Sequence, residues 1–392
     1  MRKEVVLAGG VRTPIGCLCG SLAELSAPAM GGIVIKSALS RAGVPIDQVD
    51  EVIMGNVISA GCGQNIARQA TIGAGLGTNV HAFTVNKVCG SGLQAVMLAD
   101  QMIQCGQASA IVAGGTENMS RAPYLLEKAR QGYRLGHGEL IDSMIRDGLW
   151  DAYGNQHMGL YGDRCAARYE FSRQAQDDFA ITSYKRALEA SASGAFAREM
   201  VSVQVPAGKN SITVNEDEEP KRFNEEKLRQ LRPAFGKDGT VTAGNASSVN
   251  DGAAAIAVLS AEKAKALGVK AQARILGYAT ASIEPEWFTI APVSAIRRLL
   301  DQLAMKVSDI DLWEVNEAFS VVAMAAMKDI DIPHDRLNVY GGAAALGHPI
   351  GASGTRVLVT LLNAMADRKA KRGIASLCIG GGEAVALAVE AM

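Results

Sequence analysis

Ile46-Asp47-Gln48-Val49-Asp50-Glu51-Val52-Ile53-Met54 and Val307-Ser308-Asp309-Ile310-Asp311-Leu312-Trp313-Glu314-Val315 carry one pattern twice, with Asp50 and Asp311 separated by 261 positions. Each passes from a polar turn into a short apolar run that reads as a strand. The second follows Ser294–Leu303, whose apolar residues at i, i+3, i+4 and i+7 mark one face of a helix. Cys89-Gly90-Ser91-Gly92 matches Ile350-Gly351-Ala352-Ser353-Gly354, with Gly90 and Gly351 again 261 apart, and each opens an apolar helical run. Ile111-Val112-Ala113-Gly114-Gly115-Thr116-Glu117 matches Leu377-Cys378-Ile379-Gly380-Gly381-Gly382-Glu383 at an offset of 266, which sets Cys378 in the position of Val112. Three matches in one order at near-equal offsets predict a duplicated α/β unit. Generic strand–glycine–helix texture would not keep the offsets.

Composition narrows the class. In 392 residues, 39 Lys and Arg nearly cancel 40 Asp and Glu, which gives no general attraction to nucleic acid or to an anionic membrane. Seven cysteines are too few for a disulfide framework and point to a reducing compartment, so a cytoplasmic protein is expected. No apolar run is long enough to span a membrane, and the N-terminal Val5-Val6-Leu7-Ala8 reads as a strand, not a secretory signal.

Residues 120–250 differ in character. They hold most of the Tyr residues, a helix candidate over Ser172–Ala190 with Ser172 as its N-cap, and the acidic run Glu216-Asp217-Glu218-Glu219, read as a solvated turn before Pro220. The expected organisation is an N-terminal half, 1–268, containing this insertion, and a C-terminal half, 269–392.

Four segments could carry chemistry. Cys89 falls at a helix start, where the dipole favours a thiolate and a lowered pKa; the competing reading is a buried cysteine packing as a small hydrophobe. His348 sits in Gly341-Gly342-Ala343-Ala344-Ala345-Leu346-Gly347-His348-Pro349, a tight turn with little to pack against, which suits a general base as well as a satisfied core histidine. The glycines after Cys378 leave backbone N–H groups free for an oxyanion. Asn316 follows a strand and suits a water or carbonyl ligand, or simply a turn. All four are expected just after strands, on one rim. Gly90-x-Gly92-x-x-Ala95 fits a loose dinucleotide fingerprint, but Glu117 comes late for a ribose ligand. The remaining cysteines lack metal-ligand spacing, so no metal is expected.

Taken together, Asn86-Lys87-Val88-Cys89-Gly90-Ser91-Gly92, Gly114–Ser120, Asp147–Asp151, His157-Met158-Gly159, Thr242–Ser247, Asn316-Glu317-Ala318-Phe319, Gly347–Gly354 and Cys378–Gly382 resemble the thiolase family, of the biosynthetic, acetoacetyl-CoA type, along the whole chain. The resemblance implies two α/β halves with mixed sheets in a layered αβαβα core, plus an inserted loop domain. It implies an acetyl-CoA C-acetyltransferase that condenses two acetyl-CoA to acetoacetyl-CoA and CoA, or reverses this by thiolysis, without a cofactor. Cys89 would carry the acetyl group, His348 would take its proton, and Cys378 would serve as acid and base at the α-carbon. Asn316, through a water, and His348 would hold one thioester oxygen; the N–H groups of Cys89 and Gly380 would hold the other. Leu149, His157, Met158, Arg222, Phe235, Ala243, Ser247, Phe288, Ala318 and Phe319 would line the CoA and acyl site. A homotetramer built from dimers and a place in fatty acid metabolism are further implications. The near rival is a degradative 3-ketoacyl-CoA thiolase of longer chain length. Ketoacyl synthases would lack the Cys378 segment, and a non-catalytic acyl-CoA binder would lack one of Cys89, His348 and Cys378. Two departures from the family pattern, Tyr340 in Asn338–Gly342 and Phe288 in Glu286–Pro292, bear on acyl length.

Overall fold

The computed structural model describes residues 2–392. Strands β1 (Val5–Arg12), β2 (Glu51–Gly55), β3 (His81–Val85), β4 (Ala110–Asn118) and β5 (Asn250–Ser260) build the first half; β6 (Ala273–Ser282), β7 (Leu312–Val315), β8 (Arg372–Ile379) and β9 (Glu383–Ala391) build the second. They pair in the order β7-β8-β9-β6-β1-β5-β4-β2-β3. The duplication shows in the pairing. β2 is parallel to β4 as β7 is to β8, and the run β4–β5–β1 is antiparallel as is β8–β9–β6. The half-sheets join at β1–β6, where Val6 faces Arg274 and Leu7 faces Ala273. The place of β3 is taken in the second half by an isolated bridge between Trp313 and Leu337.

The two aspartates that announced the repeat do the same work. Asp50 accepts the N–H groups of Ser109 and Ala110 at the head of β4, and Asp311 those of Lys371 and Arg372 at the head of β8. The strand register that follows corrects the third sequence match. Met54 faces Gly114 and Val315 faces Ser376, so Cys378 corresponds to Thr116 and not to Val112. The glycines in the two segments answer different needs. Gly115 lies inside β4, where a Cβ would fall 2.0 Å from the Gly351 carbonyl, whereas Gly381 and Gly382 take φ of 90° and 88° in the turn between β8 and β9.

Helices α1 (Ala27–Ala42), α2 (Ile66–Gly73), α3 (Ser91–Gln104), α4 (Gly159–Tyr169), α5 (Arg173–Ala192), α6 (Ala291–Leu303), α7 (Ser320–Ile330) and α8 (Ile350–Arg368) complete the frame. α3 and α8 pack on each other and on strands of both halves. Strand side chains alternate between faces. Leu7, Ile111 and Ile256 from one half and Leu377, Val385 and Leu387 from the other close over α3 and α8. Val6, Val52 and Val112 point outward to α1 and α2, and Val315, Ile374 and Ala386 to α6 and α7. The result is the expected α/β stack, helix–sheet–helix–sheet–helix. Leu358, Leu361 and Leu362 in its middle layer each contribute about 1.5–3 kcal/mol relative to exposure.

Between β4 and β5 the chain leaves the sheet. α5 begins where the sequence places it, the Ser172 hydroxyl accepting the Ala175 N–H. The acidic run is not a solvated turn. Asp217 is buried and grips Arg12 at 2.7 and 2.9 Å, and Glu218 accepts the N–H groups of Cys17 and Ser21. Arg12 ends β1 fully buried beneath the insertion and needs opposed charge there, a requirement that no local pattern around the run reveals. Among the described residues no helix is long and apolar enough to cross a membrane.

Candidate active site

The segment after β3 turns sharply before α3. Val88 adopts a φ of +46°, and the Ser91 hydroxyl accepts the Lys87 N–H while donating to the Val88 carbonyl. This sets Cys89 just ahead of α3, as expected, but its thiol is not depressed. Burial pushes it up to about 11, against the opposing pull of the N–H groups of Gly380 and of Cys89 itself. Cys89 therefore rests as a thiol, and any nucleophilic use of it requires a base.

His348 follows the short helix Ala343–Leu346 and not a strand, because the second half lacks a full counterpart of β3. Gly347, at φ +100°, brings the backbone so close to Asn250 that a Cβ would fall 2.3 Å from its side chain, and the Asn250 oxygen accepts the His348 N–H. The ring's Nδ1 lies 2.6 Å from the Ser353 hydroxyl, which donates its own proton to the Pro349 carbonyl. Nδ1 must then be the donor, so Nε2 carries the lone pair. Among the described residues Nε2 has no partner. Burial, helped by the charge of Arg356, pushes His348 down to about 3, so the ring is neutral. A neutral ring with a free Nε2 lone pair can accept a proton, but burial makes it a weak base until a nearby negative charge offsets that penalty.

Asn316 ends β7. Its backbone is held by Ser376, while both polar atoms of its buried side chain lack partners among the described residues. A buried amide left unpaired costs about 1–3 kcal/mol unless a ligand or water takes it. Cys378 lies within the end of β8, fully buried, and burial followed by the proximity of Cys89 pushes its thiol well above the ordinary value. Gly380 turns its N–H toward the Cys89 sulfur, and a Cβ on it would lie 3.1 Å from Met158.

Cys89 and His348 share a cavity of about 240 Å³. Leu149, His157, Met158, Phe235, Ser247, Phe288, Ala318 and Phe319 line it; Arg222 and Ala243 are exposed outside that lining. Aromatic contacts stiffen the wall: His157 stacks on Phe235 at 4.5 Å, Phe235 meets Phe319 edge-on, and Phe288 packs on Phe319 and Tyr161. Tyr340 lies elsewhere, bonded to Asp367 and set against Phe196, so of the two departures Phe288 alone reaches the cavity. Met119, Ser248, Val249 and Ile350 also line it, and Asn250 and Ser353 orient His348. Met119, Ile350 and Ser353 lie inside the family-motif segments, and Ser248, Val249 and Asn250 follow Thr242–Ser247, which was their whole signal in the sequence. Glu117, the late acid of the dinucleotide-like fingerprint, is occupied by the N–H groups of Val57, Ile58 and Gly351.

Residues 5–262 match the family model for the thiolase N-terminal domain and 269–391 that for the thiolase C-terminal domain. The chain is 52% identical to an acetyl-CoA acetyltransferase of Pseudomonas aeruginosa, covering 98% of both chains, and 48% identical to one of Schizosaccharomyces pombe, covering 100% and 99%. It superposes on the crystal structure of the Bacillus anthracis acetyl-CoA acetyltransferase with a TM-score of 0.98 at 40% identity, covering 100% and 99%. The Acat5 thiolase of Ascaris suum in complex with coenzyme A gives 0.94 at 42%, covering all of both chains. Similarity of this extent, with each half of the chain matched to its own half of one family, makes this chain a member of the thiolase family of acyltransferases.

Proposed function

We propose that this thiolase is an acetyl-CoA C-acetyltransferase, joining two acetyl-CoA into acetoacetyl-CoA and CoA and catalysing the reverse thiolysis. The observation that carries this reading is that Cys89 and His348, whose Nε2 has no partner among the described residues, line one cavity with Met158, Phe288 and Phe319. Relatives named for the same activity, and one solved with coenzyme A, support it.

In the first half-reaction the Cys89 sulfur attacks the thioester carbonyl as His348 Nε2 accepts its proton. The N–H groups of Cys89 and Gly380 receive the developing oxyanion. CoA leaves and takes a proton from Cys378, whose raised pKa keeps it a thiol at rest. In the second, the Cys378 thiolate removes an α-proton from a new acetyl-CoA. His348, now an imidazolium, and Asn316 hold the enolate oxygen. The enolate carbon attacks acetyl-Cys89, and the departing Cys89 sulfur recovers its proton from His348, so protons balance over the cycle without a resident cofactor.

A homotetramer built from dimers fits the exposed apolar residues Tyr124, Leu126, Leu135 and Leu140 around one protruding segment. A cytoplasmic location fits the sparse, unpaired cysteines, and a place in fatty acid metabolism fits the proposed acetoacetyl-CoA chemistry. The test is a chain-length series in the thiolysis direction. Acetoacetyl-CoA should be the best substrate; clearly faster cleavage of long 3-ketoacyl-CoA would replace this reading with that of a degradative enzyme.

A further inference from the structure

One buried carboxylate gathers three parts of the molecule. Glu317 accepts the Ser183 hydroxyl at 2.7 Å, the Asn338 amide at 2.7 Å and the Ala344 N–H at 3.2 Å. Ser183 comes from α5 in the insertion, and its oxygen in turn accepts the Gly342 N–H at 2.8 Å. Asn338 spends its remaining capacity on β7, its Oδ1 accepting the Val315 N–H and its Nδ2 donating to the Val315 carbonyl, both at 2.9 Å. It thereby supplies pairing on the strand edge where a full counterpart of β3 is missing. Ser183, Glu317 and Asn338 are all buried. Gly342 packs so tightly that a Cβ would lie 2.3 Å from the Glu317 carboxyl carbon.

Glu317 is outside the cavity lining, yet it adjoins Asn316 in sequence, and Ala344 is four residues before His348. The same carboxylate is tied through Ser183 to the insertion that supplies His157, Met158 and Phe235 to the cavity. Every neighbour donates to it, so the site requires an acceptor with two competent oxygens. We infer that Glu317, linked to the insertion through Ser183, is a positioning residue that keeps Asn316 and His348 in register with the substrate-covering wall. The inference rests on the thiolase chemistry proposed above.

Glu317→Gln tests it in the full-length protein. Whichever way the amide turns, an NH₂ group faces a donor. The expected result is a fall in kcat for acetoacetyl-CoA thiolysis of about ten-fold or more, with KM for CoA little changed. Alkylation of Cys89 by iodoacetamide at neutral pH, which involves no CoA substrate and is faster where His348 draws off the thiol proton, should slow as well. Ser183→Ala should change both in the same direction, and Ser183→Thr, which keeps the hydroxyl, should restore them. If Glu317→Gln does not fold, the serine pair carries the comparison. Parent-like kcat and alkylation in the folded variants, or a loss confined to KM for CoA, would overturn the inference. If the parent shows no thiolysis while alkylation still slows in the variants, the proposed activity fails and the positioning role stands.

Discussion

Gly92 and Gly354 face one another across the α3–α8 contact: a Cβ on Gly92 would fall 2.6 Å from the Thr355 nitrogen, and one on Gly354 would fall 2.2 Å from the Leu93 nitrogen. The pairs are reciprocal at an offset of 262, so the helices that follow the Cys89 and His348 turns cross at their shared pseudo-symmetry position. Cys89 and His348 approach because nothing larger than hydrogen lies between the helix starts.

Alanine at either glycine must push backbone against backbone. Gly354→Ala should destabilise by about 3 kcal/mol or more, at or above the usual overpacking range, as read by chemical denaturation. An unchanged unfolding midpoint would show that the contact is loose.

The buried thiol of Cys89 makes a pH prediction. With its pKa raised to about 11, the thiolate fraction is small at neutral pH and still grows through the alkaline range. Alkylation of Cys89 should therefore keep accelerating from pH 8 toward 10. A plateau near pH 7 would mean a depressed thiol.

Ser353 fixes the tautomer of His348. Ser353→Ala leaves Nδ1 without its acceptor and frees the ring to present Nε2–H to Cys89. We expect kcat to fall about ten- to a hundred-fold, with recovery in Ser353→Thr. Equal activity in all three proteins would separate Ser353 from catalysis.

Leu135 is wholly exposed and Leu140 largely so, near a short hairpin that pairs Tyr124 with Asp142. Light scattering should find four copies in the parent and fewer in Leu135→Asp/Leu140→Asp. A monomeric parent would contradict the proposed assembly.

Much of the fold was legible because the repeat is written in residues with local duties. Asp50 and Asp311 each cap a strand start, and the glycine turns precede helices. What misled was glycine read without its environment: Gly114-Gly115 resembles Gly380–Gly382 in letters, but Gly114 packs on Ala254 and Gly115 on Gly351 within a strand, whereas Gly381 and Gly382 turn the chain. The acidic run hid its function because its partner, Arg12, lies some two hundred residues away. The candidate side chains Cys89, Asn316, His348 and Cys378 were visible in their motifs. Their protonation was not, since burial reversed the helix-start expectation for Cys89, and the lone pair of His348 depends on the fold around Ser353 and Pro349.

The central claim, that Cys89 carries the acetyl group, is tested most directly by intact-protein mass spectrometry after brief exposure to acetyl-CoA. The account predicts a gain of one acetyl group per chain, mapped to Cys89 and lost in Cys89→Ser. Stoichiometric acetylation that persists in Cys89→Ser would contradict it.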